Sequence, residues 1–346
     1  MRLLKRKRFW ATVIAFGLIV YLFRDFKFGE VWGIIKNINF WYLIPLSVLE
    51  LVIAFIRSQR WKFIIDPGKK IRTWNMFSTF SIGMMINLLL PALTGQVARI
   101  FLLAKKEEIK KTLAFTSVVL EVLFDAIVLF GLLVLVSSFY VFPDYLRSSW
   151  LIGGLIVLAL AIFLYWMSRK HGEAADKIEH GGFGQQGGIG ERILEVKATF
   201  VYGLKMLRSS KHLLVVTGLT IVSWSLQACM VYLLIAAFSL RIDLWGAVVI
   251  MVINTLMVMV VVTPVNIGTF QLACVFALSL FSIERPTALS FSIVLHAFNY
   301  IPPVIIGWLF SLREGLSFKK LYQEQAGKAD AAIELENAQI DIPVQK

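Results

Sequence analysis

Cysteine is almost absent: Cys229 and Cys274 are the only two in 346 residues, and both sit inside apolar sequence. No disulfide framework can be built on them, and they read as small buried hydrophobes. Histidine is equally scarce. His171, His180, His212 and His296 lack ligand spacing, so neither a metal site nor a cofactor is expected. No nucleophile stands beside a general base, and no polar stretch is long enough for a soluble catalytic domain, which argues against a hydrolase or metalloenzyme. The Gly-rich stretch 181–190 lacks the following Lys-Ser/Thr of a phosphate-binding loop and has the composition of a flexible linker. The basic start leads into apolar sequence ending Leu22-Phe23-Arg24-Asp25, which is no small-residue cleavage site, so a retained first helix is expected. Charge is thin as well, at 16% of residues against 58% hydrophobic.

What fills the chain is apolar sequence. The mean hydropathy of +0.75 lies far outside the range of soluble domains. Apolar runs recur at 9–23, 40–56, 76–93, 113–142, 150–167, 213–240, 244–262, 267–283 and 288–312. Several reach the roughly 20 residues that cross about 30 Å of hydrocarbon, while others fall short. The expected fold is an all-α polytopic membrane protein with about eight or nine membrane segments, some broken or re-entrant. Residues 1–320 form the membrane part. Within it, 168–211 form a cytoplasmic loop whose second part, 191–211, has the pattern of an amphipathic helix resting on headgroups. Residues 321–346 form a polar tail. Val31, Trp32, Ile34, Ile35 and Ile38 have helical spacing and predict a short helix on the outer interface.

The net charge of +13 is explained by position and needs no nucleic-acid partner. Place Arg2, Lys5, Arg6, Lys7 and Arg8 in the cytoplasm of a cell whose inner membrane holds the protein. Arg57, Arg60, Lys62, Lys69, Lys70 and Arg72 then fall on the same side, as do Lys105, Lys106, Lys110, Lys111, the 169–211 loop and the C-terminal tail. Only Arg24, Lys27, Lys36, Arg147, Arg241 and Arg285 fall outside. This asymmetry orients the chain with both termini cytoplasmic and suits contact with anionic lipid headgroups.

Two apolar segments are interrupted in related ways: Asn87, Pro91, Gly95 and Gln96 in the first, and Pro264, Gly268 and Gln271 in the second. Proline removes a backbone donor and glycine permits left-handed torsions, so each break frees polar groups that hydrocarbon cannot satisfy. Paired breaks in two halves of a chain point to a binding site at the interface of an inverted repeat. The orientation requires the first break to be entered from the cytoplasm and the second from outside. Glu121 and Asp125 lie one turn apart in an apolar run. They read either as a site for a cation or protons, or as carboxyls paired between helices, for instance with Arg99. Arg99 reads as a phosphate clamp, as their partner, or as an interfacial arginine. Glu50 is a weaker candidate, and His296 and Asn299 read as helix–helix polar contacts.

In this order, Asn87, Pro91, Gly95, a polar residue, Arg99, the Glu121 and Asp125 pair, then Pro264 and Gly268 resemble the lysylphosphatidylglycerol synthase transmembrane, or flippase-like, family. The resemblance spans roughly residues 8–320. It implies movement of a lipid or lipid-linked amphiphile between leaflets by a transporter that is not an enzyme. The family commonly has Glu where this chain has Gln96 and Gln271, and Arg where Val122 stands. Gln keeps an acceptor and loses the charge. Its best-known members also carry an aminoacyl transferase, which this sequence does not contain, so a separate cytoplasmic lipid-modifying enzyme is a conceivable partner. The alternatives are a membrane subunit or enzyme of glycolipid synthesis, and a scaffold that transports nothing.

Overall fold

In the computed structural model, residues 28–65, 71–89, 94–140, 144–181, 189–260 and 266–315 are described, and all regular structure among them is helical. The helices are α1 (Phe28–Lys36), α2 (Leu43–Ile65), α3 (Thr73–Leu89), α4 (Thr94–Lys106), α5 (Lys111–Val136) and α6 (Asp144–Gly181). They continue as α7 (Ile189–Gly203), α8 (Ser210–Ala237), α9 (Leu244–Val260), α10 (Thr269–Ser279) and α11 (Arg285–Arg313). Local chemistry sets several starts. The Asn39 side chain accepts from Trp41 N–H before α2, Ser209 accepts from His212 N–H at α8, and α11 opens with proline, which needs no donor there.

Among the described residues, five helices are long and apolar enough to cross a membrane: Phe40–Ile65, Lys111–Val136, Trp150–His171, Ser210–Ala237 and Arg285–Arg313. The protein is therefore a polytopic helical membrane protein. The other apolar runs divide into two hairpins of short helices, α3–α4 and α9–α10, each interrupted where Pro and Gly fall in sequence. The apolar run 9–23, Pro91, Pro264, most of the Gly-rich linker and the 321–346 tail lie outside the described residues.

The hairpins open at opposite ends of the bundle. At one end, Lys106 Nζ at the close of α4 donates to Ser78 Oγ on α3 (2.8 Å) and to Glu314 Oε1 beyond α11 (2.6 Å). At the other, Tyr140 beyond α5 donates to Asp243 Oδ1 before α9 (2.6 Å), and the Phe139 and Trp245 rings stack at 4.7 Å. The α5 helix runs from the first end to the second, so α3–α4 and α9–α10 enter the bundle from opposite ends. The Asp243 carboxyl is held below its usual range by the Tyr140 hydroxyl and then by the Gly246 N–H.

Each hairpin has its own packing core. Trp61, Met76, Phe80, Leu103 and Leu113 join α2 to α5 around the first. A larger cluster, including Val231, Ile250, Cys274 and Phe291, joins α8 to α11 around the second. Backbones approach closely where the first hairpin folds on itself. A Cβ on Gly95 would sit 2.3 Å from Gly83 O and 2.5 Å from Asn87 Cβ. Gly95 is thus required for contact and not for a left-handed torsion, since it lies within the helical run of α4. Gly95→Val is expected to destabilise the fold by about 2 kcal/mol or more, read as a lower unfolding temperature in detergent, whereas Val at open Gly218 should change it little.

One expectation needs correction. Residues 191–211 do not simply lie on headgroups: α7 and the 3-10 turn Leu204–Arg208 bury Ala198, Tyr202, Leu204 and Met206 against α5 and α6. The amphipathic pattern there faces protein. The short helix expected around Val31 to Ile35 is present as α1, and it packs on α11 with Val31 buried and its carbonyl accepting from Ser290 Oγ at 3.4 Å.

Candidate functional site

The first hairpin is pinned by a buried ionic cluster. Arg60 on α2 has a fully buried side chain and reaches both acids of α5: Nη2 donates to Glu121 Oε1 at 3.1 Å and to Asp125 Oδ2 at 2.8 Å, and Nη1 to Asp125 Oδ1. Glu121 Oε2 accepts from Arg99 Nη2 of α4 at 2.7 Å, while Arg99 Nη1 donates to Gln96 Oε1 at 3.0 Å. The Arg99 guanidinium also lies between Trp61 and Phe80, 4.2 and 4.5 Å from their ring centres. Two cations and two anions balance. Low dielectric makes such a group tolerable only when complete. Of the readings open for Glu121, Asp125 and Arg99, the observed arrangement is mutual pairing between helices.

Arg60, like its neighbour Arg57, corrects the expectation that both lie in the cytoplasmic basic fringe. The helix carrying them continues to Ile65, well past the end of the apolar run at residue 56. The signal is present in sequence: Trp61, Ile64 and Ile65 prolong the apolar pattern around both arginines.

The second break is organised differently. Gly268 adopts φ 87°, a conformation glycine tolerates, and its N–H donates to Gln271 Oε1 at 2.8 Å. Gln271 Nε2 lies 3.0 Å from His296 Nδ1 of α11, and the His296 ring stacks on Phe270 at 4.6 Å. Asn254, in the last turns of α9, donates to Phe270 O at 3.1 Å and ties the two arms together. The two glutamines, equivalent in sequence pattern, therefore serve separate ends: Gln96 accepts from an arginine and Gln271 caps a helix.

Between the hairpins lies a cavity of about 220 Å³. Asn87, at the entry to the first break, lines it on one side; Asn254, Thr255 and Phe270, around the second, line it on the other. Glu50 and Arg57 face it from α2, two turns apart on one side of the helix. Trp224 and Gln227 of α8 join the cavity to the ionic cluster, since Trp224 Nε1 donates to Asp125 Oδ1 at 2.9 Å while Arg57 lies 5.2 Å above the Trp224 ring. Gln227 accepts from Arg57 Nη2 at 3.4 Å and donates to Asn299 Oδ1 at 3.2 Å. Glu50, the weaker sequence candidate, and Arg57, which the sequence alone assigns no site role, thus face the cavity. Of the residues expected at the site, Asn87 lines the cavity, whereas Gly95, Gln96, Arg99, Glu121, Asp125, Gly268 and Gln271 do not; Asp125 is joined to it through Trp224.

Two opposed, interrupted hairpins thus flank one cavity of mixed polar and apolar lining, while Arg99 and the acid pair are engaged with Arg60 and with each other away from its wall. The family profile for the lysylphosphatidylglycerol synthase TM region matches residues 8–307. This chain belongs to that family. Among its relatives are two UPF0104 membrane proteins of Methanocaldococcus jannaschii. One is 26% identical over 314 residues, covering 87% of this chain and 93% of the relative. The other is 24% identical over 228 residues, covering 65% and 92%. A UPF0104 membrane protein of Methanothermobacter thermautotrophicus is 24% identical over 261 residues, covering 69% and 75%.

Proposed function

We propose that this protein moves a lipid or lipid-linked amphiphile between the leaflets of the cell membrane, with the cavity between the hairpins as the transit site of the polar headgroup. The observation that carries this reading is the cavity itself, reached by interrupted hairpins from both ends of the bundle and furnished with one acid, one guanidinium and several carboxamides. Broken helices at membrane depth are tolerated where they line such a space. The ionic cluster of Arg60, Arg99, Glu121 and Asp125 holds the first hairpin against α2 and α5 while the hairpins move relative to one another.

Leaflet-resolved exchange of fluorescent anionic, zwitterionic and polyprenyl-phosphate lipids in proteoliposomes tests this reading. Exchange of at least one class above protein-free vesicles is expected. Exchange of none by folded protein would return weight to a non-transporting role.

The positive-inside distribution further supports a cytoplasmic location for the α3–α4 opening and for both termini. A cysteine at Lys105 is expected to react with an impermeant thiol reagent only from the cytoplasmic side, and one at Ser239 only from the opposite side. Reaction of both from one side would overturn the opposed arrangement in the membrane.

A further inference from the structure

Glu121 and Asp125 are held by guanidinium partners, but Glu50 has none among the described residues. It stands ten residues into the span Phe40–Ile65, roughly 15 Å of helical rise from the first residue of that span. The residue is 3% exposed, and its Oε2 has no hydrogen-bond partner. A carboxyl so placed lacks the donors that bulk water gives a carboxylate, so its neutral and charged forms demand different surroundings. Ionisable groups at membrane depth are kept where they serve a pathway.

The cavity of about 220 Å³ that Glu50 faces has room for several waters at about 30 Å³ each, so a proton can reach the carboxyl. A metal cation is poorly served there. Glu50 is the only acid among the described lining residues, and the other charge on the wall is the Arg57 guanidinium, two turns along the same helix. Arg57 is braced by neutral groups, Gln227 Oε1 at 3.4 Å and the Trp224 ring, and so stays in place when Glu50 changes charge. Other titratable groups nearby are engaged. On α11, the Tyr300 hydroxyl accepts from Asn266 Nδ2 at 3.0 Å, and the His296 ring meets the Tyr300 ring edge-on at 4.8 Å. On α5, Glu121 and Asp125 pair with Arg60. The described lining residues of α3, α8, α9 and α10 carry no titratable side chain. Ionised Glu50 balances Arg57, whereas protonated Glu50 leaves the wall with one net positive charge.

We infer that Glu50 is the protein's proton site: its carboxylate takes a proton from cavity water on one side of the membrane and releases it on the other, coupling transit to the proton gradient. The step forms one O–H bond on a Glu50 oxygen and later breaks it. Each cycle therefore moves one proton and leaves every covalent bond of the lipid intact. This rests on the transit-site reading and adds its source of energy. Because protonation changes the charge of the cavity wall by one, proton and cargo alter each other's occupancy reciprocally.

Two measurements separate the proton site from transit. In infrared titrations of full-length protein in detergent, the difference between wild type and Glu50→Gln should contain a carboxylic C=O band that disappears as pH rises. A Glu50 locked as carboxylate would give no such band at any pH at which the protein stays folded, and that result would overturn the inference. In proteoliposomes with the membrane potential clamped by potassium and valinomycin, a one-unit pH step is imposed across the membrane. Whichever of the fluorescent anionic, zwitterionic and polyprenyl-phosphate probes exchanges should then collect in one leaflet, by up to about tenfold for one proton per lipid. In Glu50→Gln, the exchange that remains should reach the same leaflet ratio with and without the step, while Glu50→Asp should keep the response. If Glu50→Gln does not fold or exchanges no probe, Glu50→Asp carries the test: its shorter arm should displace the pH midpoint of the response, and an unmoved midpoint counts against the proton site. Exchange that ignores the pH step, responds equally in Glu50→Gln, or requires sodium in place of protons would sink this inference and leave the transit reading standing. A titrating Glu50 band in protein that exchanges no probe would do the reverse.

Discussion

Arg60→Met is expected to destabilise the protein by about 3–5 kcal/mol, the range for removing one partner from a buried ion pair. Among the described residues Arg60 alone pairs with both Glu121 and Asp125, whereas of the two acids Arg99 pairs with Glu121 only. Without Arg60, Asp125 keeps the Trp224 indole donor but no guanidinium. The loss should appear as a lower unfolding temperature and reduced recovery in detergent. Adding Asp125→Asn to Arg60→Met removes the stranded charge and should recover a large part of the loss. If Arg60→Met unfolds like wild type, the cluster does not hold the first hairpin, and its pairing has no structural weight.

Filling the cavity is the second large effect. Thr255 lies on its wall, near the end of α9, and its hydroxyl bonds only to Met251 O one turn back. A tryptophan there projects an indole into a space of about 220 Å³ without removing a partner from the ionic cluster. Thr255→Trp should reduce lipid exchange in proteoliposomes at least about tenfold, because the headgroup and the indole compete for one volume. Unfolding temperature should change much less than in Arg60→Met. Leu214→Trp, at a position 75% exposed on the outside of α8, serves as the control and should leave exchange unchanged. Exchange that persists with Thr255→Trp would place the transit route elsewhere in the molecule.

Much of the fold is legible in sequence because hydrocarbon imposes a simple rule: backbone polar groups must be satisfied locally, so apolar length becomes helix. The runs 113–142, 213–240 and 288–312 correspond closely to α5, α8 and α11. The two breaks are equally visible, since proline and glycine in a short apolar run interrupt the helix that would otherwise span it. Their inner workings are not. Gly95 and Gly268 occupy like positions in like motifs, yet one permits backbone contact with Gly83 and the other adopts a left-handed torsion. A local pattern cannot tell these apart, because the first need arises only when α3 and α4 pack.

The site is half legible for a related reason. Glu121, Asp125 and Arg99 stand out as charges in apolar sequence, and their pairing follows from the cost of leaving any one unpaired. Arg57 and Arg60 are misplaced by sequence because they sit near other basic residues, where the charge rule for membrane loops takes precedence over helical periodicity. Residues 43–65 form one uninterrupted helix, and its length carries both guanidiniums into the bundle. Glu50 gains importance only with the cavity, whose walls come from six helices distant in sequence.

The most direct test of the transit site is whether one cavity position can be reached from both sides of the membrane. A cysteine at Thr255, with Cys229 and Cys274 replaced by alanine, is labelled in sealed right-side-out and inside-out vesicles with an impermeant maleimide. Cysteines at Lys105 and Ser239 serve as sidedness controls. Labelling of position 255 from both sides is the predicted result. Labelling from one side only, or from neither while the controls react, would contradict a cavity that serves both leaflets.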